Sequence, residues 1–309
     1  MVSAFCTPGG ILRVPENISD DELLRNPMWQ RKNGKPVREA LEYLEYGKDN
    51  YWTGEKLVKQ TVEAALPIFR YAFPGCRGLW AFDNATNHSS FHPEALVVTR
   101  MNLSPGGKQA VMREGFDHNR QLPQAIVYAN NHRDPALRGK PKGAQHVLQE
   151  RGLWRYWRSD GGRFRLECPT TFDRPGCPEQ MPEGGCCARH LLSVQRDFLE
   201  QKGWLEDELE KAHQELLFYP KFHCELNFIE RFWCSAKFYT RENCQYSLEG
   251  LREVLPVAIQ SVSSAAINRY YDHCARTIDA YASGCNYGTK AFKDHIYKGH
   301  RQVVDKSKW

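Results

Sequence analysis

The chain has 309 residues, 41% hydrophobic and 12% aromatic, which suffices for one large domain or two ordinary ones and argues against global disorder. Its net charge of +5 is compatible with a nucleic-acid partner without arguing for one, and no apolar run reaches the ~18 residues of a transmembrane helix. Eleven cysteines, behind an N-terminus with no basic leader or long apolar core, point to a reducing compartment; there, clustered thiols mean metal or chance more often than disulfides.

In chain order, the first fifteen residues read as a hairpin: SAFCT, a PGG turn, then ILRVP. Residues 16–53 read as polar and irregular. From Glu55 to Phe73, the residues Leu57, Val58, Val62, Ala65, Leu66 and Phe69 recur at helical spacing, with Pro67 placed to kink the helix. The apolar strand Leu79–Phe82 follows and stops at Asp83 and Asn84, with His88 four residues beyond. Together 1–91 form a hairpin, helix, strand succession typical of α/β layering.

Residues 92–190 are rich in Gly and Pro, with a short ordered QAIVYA (124–129) and a helical AQHVLQERGLW. Structureless loops of this length are rare, so the stretch reads as an inserted subdomain. Within 191–240 the pattern predicts one or two amphipathic helices, a buried strand at ELLFYP and a helix over Glu225–Phe238; 241–309 is a helical C-terminal region.

A second landmark is LLFYPKFHCELNFIERFW, residues 216–233, whose helix carries Glu225, Glu230 and Trp233 beside the apolar Phe228, Ile229 and Phe232. A carboxylate on a partly buried helix must be paired, protonated or metal-bound, since burying it alone costs several kcal/mol. Taken singly, Asp83 reads first as an Asx turn residue, His88 as a hydrogen-bonding histidine, Glu225 as an acid favoured at a helix N-terminus, and Trp233 as core.

Together, FDNATNH and YPKFHCELNFIERFW resemble the DDE transposase domain of mariner-like elements, and more closely the transposase-like proteins of mushroom-forming fungi. Asp83, Asn84 and His88 match the first block; Leu226, Asn227, Ile229, Glu230 and Trp233 match the second. Glu225 stands where that family usually has Asp, and Phe228 where it usually has Pro. The fungal resemblance extends to RGKPKG, LQERGLW, the cysteine segment and YKGHR.

This resemblance implies a ribonuclease H-like α/β fold: a mixed sheet flanked by helices, with a large loop-rich insertion and a helical C-terminal region. It implies metal-dependent cleavage and strand transfer on DNA phosphodiesters, in the nucleus, by a homodimer. Asp83 and Glu230 would be catalytic ligands of Mg²⁺ or Mn²⁺, with Asn84, His88, Glu225 and Asn227 beside them. Two such ions ~3.5–4 Å apart flank the scissile phosphate, and Mg²⁺ favours hard oxygen ligands. The family's first Asp ends a strand lying before the hairpin, whereas Asp20, Asp21 and Asp49 all follow it. The expectation is therefore a truncated element whose sheet lacks its first strand and whose cleavage is impaired. A reading of a different class is a non-catalytic DNA-binding or assembly protein derived from such an element.

Cys168, Cys177, Cys186, Cys187 and His190 supply ligands enough for tetrahedral zinc, but paired C-x2-C knuckles are absent, so incidental thiols stand as the alternative. The cysteines at 6, 76, 224, 234, 244, 274 and 285 are expected to be buried small hydrophobes. Arg138, Lys140 and Lys142 of RGKPKG, with the basic stretch at 29–36, are candidate DNA phosphate contacts or else solvated loops.

Overall fold

A first unit formed by Met1–Ser90 is interrupted after Ser90 and resumes at Leu205, while Phe91–Trp204 make a second unit with its own core. The structure, a computed structural model, describes residues 1–25, 29, 34–44, 51–157, 161–171, 174–180, 182–183 and 185–297. The architecture is mixed α/β, with short two-stranded sheets and many helices.

At the start of the first unit lie β1 (Val2–Ala4), β2 (Cys6–Thr7) and β3 (Gly10–Ile11). The expected hairpin is the β2–β3 pair, Cys6 opposite Ile11. The 16–53 stretch is not irregular throughout. It holds α1 (Asp20–Leu24), capped by the Ser19 side chain, and β4 (Leu41–Tyr43), which pairs antiparallel with β1. That strand has no sequence signature because it is three residues long and only Leu41 of it is buried, too little for an alternating pattern. Asp20 is ion-paired to Arg38 at 2.6 Å; Asp49 and residues 30–33 of the basic stretch lie outside the described residues.

Next comes α2 (Gly54–Gln60), capped by Thr53, whose hydroxyl accepts from the Lys56 N–H. It runs through a π-helical turn at Thr61–Ala65 into α3 (Leu66–Ala72). The Pro67 effect takes this form: proline has no N–H to give, and the Leu66 N–H reaches back to the Thr61 carbonyl across a wider turn. Gln60, fully buried, anchors the helix to β1 by accepting from the Ser3 hydroxyl at 2.6 Å and donating to the Ser3 carbonyl at 3.3 Å. Then β5 (Leu79–Phe82) turns Trp80 and Phe82 inward, where the Phe5 ring meets both edge-on at 5.6 and 5.9 Å.

The second unit contains the hairpin of β6 (Gly115–Asp117) and β7 (Leu122–Gln124), then α4 (Ala144–Glu150), β8 (Thr170–Thr171), β9 (Arg174–Pro175), α5 (Ala188–Ser193) and α6 (Arg196–Leu199). QAIVYA is strand only at Gln124; Ile126 is a core residue and Val127 forms an isolated bridge to Pro141. The insertion is better built than its loop-rich sequence suggests. Leu96, Met101, Met112, Ile126, Val147, Leu148 and Leu192 cluster in one apolar core. Beside it, buried Arg151 pairs through both Nη atoms with Asp197 at 3.0 and 2.7 Å and donates from Nε to Gln124 at 2.7 Å. Asp197 also accepts from the Phe116 N–H at 3.0 Å.

The chain returns through α7 (Trp204–Lys211) to β10 (Glu215–Phe218), then α8 (Phe228–Asn243), α9 (Leu248–Ser261), α10 (Ser264–Ala282) and α11 (Lys290–Tyr297). Residues 191–204 thus belong with the insertion, and the C-terminal helices belong with the first unit. Leu41, Phe232, Ile259 and Ile267 form the core under these helices, with Trp233 packed against it. No described helix is long and apolar enough to cross a membrane. Cys274 is buried, but Cys76, Cys224 and Cys234 are exposed, against the expectation for them; an apolar or helical neighbourhood in sequence does not say which face a residue takes.

Breaking the Arg151–Asp197 pair leaves an uncompensated buried charge. Asp197→Ala should therefore destabilise the second unit by about 3–5 kcal/mol, read as a lower midpoint in urea denaturation.

Candidate functional site

β10 lies parallel to β5, Phe218 opposite Phe82, and the Tyr219 N–H donates to the Phe82 carbonyl at 2.8 Å. Asp83 and Tyr219 therefore leave the same end of a parallel pair, where strand ends in α/β sheets commonly present functional groups. Gln214 pins this pairing. Its Oε1 accepts from the Gly78 N–H at 2.7 Å and from the Trp80 indole at 3.3 Å. A Cβ on Gly78 would stand 2.9 Å from Phe69 and 3.1 Å from the same Gln214 oxygen, so only glycine fits there without displacement.

At the rim, His88 Nδ1 stands 3.0 Å from the main-chain oxygen of Asp83 and close against its Oδ1. Only the first contact has hydrogen-bond geometry, which leaves Oδ1 buried without a hydrogen-bond partner among the described residues. His88 is held edge-on against Phe82 at 5.5 Å, fixing its ring. Asn84 is exposed.

From β10 the chain turns through Phe222, 99% exposed and in the left-handed region at φ 68°, into a 3₁₀ turn at Cys224–Leu226. α8 then begins at Phe228, later than the expected Glu225, because Asn227 caps it, its side chain accepting from the Ile229 N–H. Glu230 occupies the first turn and is half-buried, with no hydrogen bond or ion pair among the described residues. Glu225 lies outside the helix. It accepts from the Tyr281 hydroxyl at 2.7 Å and meets His223 Nδ1 at 2.8 Å. Burial pushes its carboxyl up, but the bonds from Tyr281 and His223 outweigh that and hold it below its ordinary value. Glu225 thus ties the turn to α10. Neither Tyr281 nor Gln214 was marked by sequence, since each acts on a residue remote in the chain.

In the second unit, the sulfurs of Cys168, Cys177, Cys186 and Cys187 all lie within 4.8 Å of one another, a group that could hold a metal ion. Cys177 and Cys187 are 3.6 Å apart, and Cys186 and Cys187 4.0 Å. His190 is not in this set. Its Nδ1 meets Cys186 Sγ at 3.1 Å, and its N–H is accepted by Cys187, the N-cap of α5. Burial and the neighbouring sulfur of Cys187 push the Cys177 thiol up to about 11, and burial likewise raises Cys186.

The RGKPKG segment is largely spoken for. Lys142 is buried and grips Glu150 at 2.7 Å, and Gly143 is required because a Cβ would come within 2.2 Å of the Leu103 carbonyl. Arg138 Nε donates to the His132 carbonyl at 2.8 Å, while Lys140 is exposed. Lys142 is therefore a structural residue and not a phosphate contact.

The chain matches no protein-family model, no curated protein and no solved structure.

Because Glu225 is more acidic folded than unfolded, its contribution to stability is present above its unfolded pKa and lost as pH falls through the folded one. Tyr281→Phe should raise the Glu225 pKa in an NMR titration, and Glu225→Gln should flatten the acid limb of the stability profile.

Proposed function

We propose that the first unit is a ribonuclease H-like, DDE-type nuclease core of transposase ancestry, acting on DNA phosphodiesters with Mg²⁺ or Mn²⁺. One observation carries this reading: a parallel strand pair puts Asp83 at the end from which the chain runs, through one turn, to the helix whose first turn bears Glu230. Both carboxylates suit a hard cation. Asp83 Oδ1 has only the His88 imidazole against it, with no hydrogen bond, and Glu230 is half-buried without an ion pair among the described residues. Asp83 and Glu230 would hold the ions, which when bound activate the attacking oxygen and stabilise the leaving one. His88 orients the Asp83 main chain, and Asn227 sets the start of the Glu230 helix. With such a substrate the chain would work in the nucleus.

The described residues supply two of the three acids such chemistry uses, and phosphoryl transfer depends on positioning and charge stabilisation. Weak or absent nicking by this chain is therefore expected, and metal binding is the sharper test. Mn²⁺ titration followed by electron paramagnetic resonance should show a site that Asp83→Asn or Glu230→Gln each weakens by about tenfold or more. Mn²⁺ binding unchanged in both variants would leave the non-catalytic DNA-binding reading in its place.

For the insertion, the proposed occupant of the four-cysteine group is structural Zn²⁺. Sulfurs at 3.6 and 4.0 Å match the roughly 3.8 Å expected between ligands on a tetrahedron with Zn–S of ~2.3 Å. Zinc also favours the thiolates that burial disfavours, offsetting the raised thiol pKa values. Metal analysis of the purified chain should give one zinc per chain, lost in Cys187→Ser together with the protease resistance of the second unit. Zinc-free protein with an unchanged second unit would leave the thiols incidental.

A further inference from the structure

The four clustered sulfurs of the second unit are not alike. His190 serves two of them, its Nδ1 lying 3.1 Å from Cys186 Sγ and its N–H donating to Cys187 Sγ at 3.4 Å. Cys168 Sγ lies against the Cys186 carbonyl at 3.7 Å. Among the described residues, Cys177 Sγ meets only other sulfurs of the group, Cys187 at 3.6 Å. Cys177 is also the exposed member, whereas Cys186 and Cys187 are buried and Cys168 is half-buried. The loop reaches the group through left-handed glycines, Gly176 at φ 91° just before Cys177 and Gly185 at φ 87° just before Cys186.

This asymmetry has a chemical consequence once the group holds zinc. A coordinated cysteine is a thiolate, and the thiolate is the form that attacks an oxidant. Sites that oxidise reversibly combine thiolate character, solvent access and a second cysteine within reach. Cys177 has the access, and Cys187 is the second cysteine. Cys187 is also the N-cap of α5, whose Ala188 and Leu192 belong to the core of the second unit. A change at this sulfur therefore acts where the cysteine loop joins the packed body.

We propose that the four-cysteine group is a zinc site that hydrogen peroxide opens, with Cys177 the thiolate oxidised and Cys187 the one that resolves it. The inference rests on the zinc reading and adds its regulation. In the first step the Cys177 sulfur attacks one peroxide oxygen; the O–O bond breaks, hydroxide leaves, and the sulfur becomes a sulfenic acid. In the second, the Cys187 thiolate attacks that sulfur; the S–S bond forms, the S–O bond breaks, and another hydroxide leaves. Two thiolates thus give up two electrons, which reduce one peroxide to two hydroxides. Only Cys168 and Cys186 then remain as ligands, too few for a closed tetrahedral site, and the ion is released.

The test uses the purified full chain, loaded with zinc under reducing conditions and then freed of reductant. A small excess of hydrogen peroxide should release about one zinc per chain into a chromophoric chelator, and peptide mapping should find Cys177 joined to Cys187. Dimedone present from the start should label Cys177 ahead of Cys76 and Cys224, which are exposed thiols outside the group. Cys177→Ser, which keeps three sulfur ligands, should hold its zinc about tenfold longer under peroxide. Should that variant bind no zinc, the labelling order in the parent decides. Reductant and fresh zinc should restore the starting state. Zinc retained under peroxide, or Cys76 and Cys224 labelled as fast as Cys177, would overturn the inference and leave the zinc reading standing. A disulfide that forms equally fast in zinc-free chain would show that the metal plays no part and overturn it as well. A purified chain with neither zinc nor a Cys177–Cys187 bond would overturn both readings.

Discussion

Everything at the rim of the first unit depends on one parallel pairing, β5 against β10, between segments separated by the whole insertion. Parallel neighbours must lie about 4.8 Å apart, and a chain that leaves at Ser90 has to return at Leu205 in register to achieve it. Gln214 fixes that register with a single oxygen shared between the Gly78 amide and the Trp80 indole. A slip of one residue would turn Trp80 and Phe82 out of the core and move Asp83 away from Tyr219. The pairing thus converts two distant sequence blocks into one edge.

Closure of so long an excursion costs entropy, though that cost grows only slowly with length. The second unit offsets it by being a folded body in its own right. Its core is apolar, but its connections are set by polar contacts: Arg151 joins β7, α6 and, through Asp197, the β6 backbone. Cys177, Cys186 and Cys187 lie in the apolar-poor stretch between β9 and α5, and their sulfurs converge with that of Cys168 from before β8. A metal there would do for that stretch what burial does for the rest.

Polar groups in the first unit divide into those that are satisfied and those that are not. Gln60, Gln214 and Glu225 each use their side-chain polar atoms to join elements distant in sequence, and they account for local order. Asp83, Arg231 and Arg276 each leave a buried atom without a hydrogen bond. Asp83 Oδ1 nevertheless lies against His88 Nδ1, so it is an incompletely satisfied carboxylate rather than an open one. Buried polar atoms left in this way carry a stability cost.

From sequence alone came the α/β character, the strand stopping at Asp83, the amphipathic helix bearing Glu230 and Trp233, and the cysteine grouping. These are short-range patterns: apolar periodicity, a strand terminator, a cap, a spacing. The strand β4, Leu41–Tyr43, and the π-helical turn before Pro67 were not legible, because one is too short to show alternation and the other is a backbone response to a missing N–H. Lys142 looked like a solvated charge until Glu150 came one helix away, and His190 looked like a ligand until its ring was seen on Cys186. The unsatisfied Nε atoms of Arg231 and Arg276 had no signature either, since burial of a guanidinium nitrogen is decided only when the helices pack. Sequence determines what each segment prefers; tertiary structure alone decides which charges find partners, because pairing across elements depends on the faces that packing brings together.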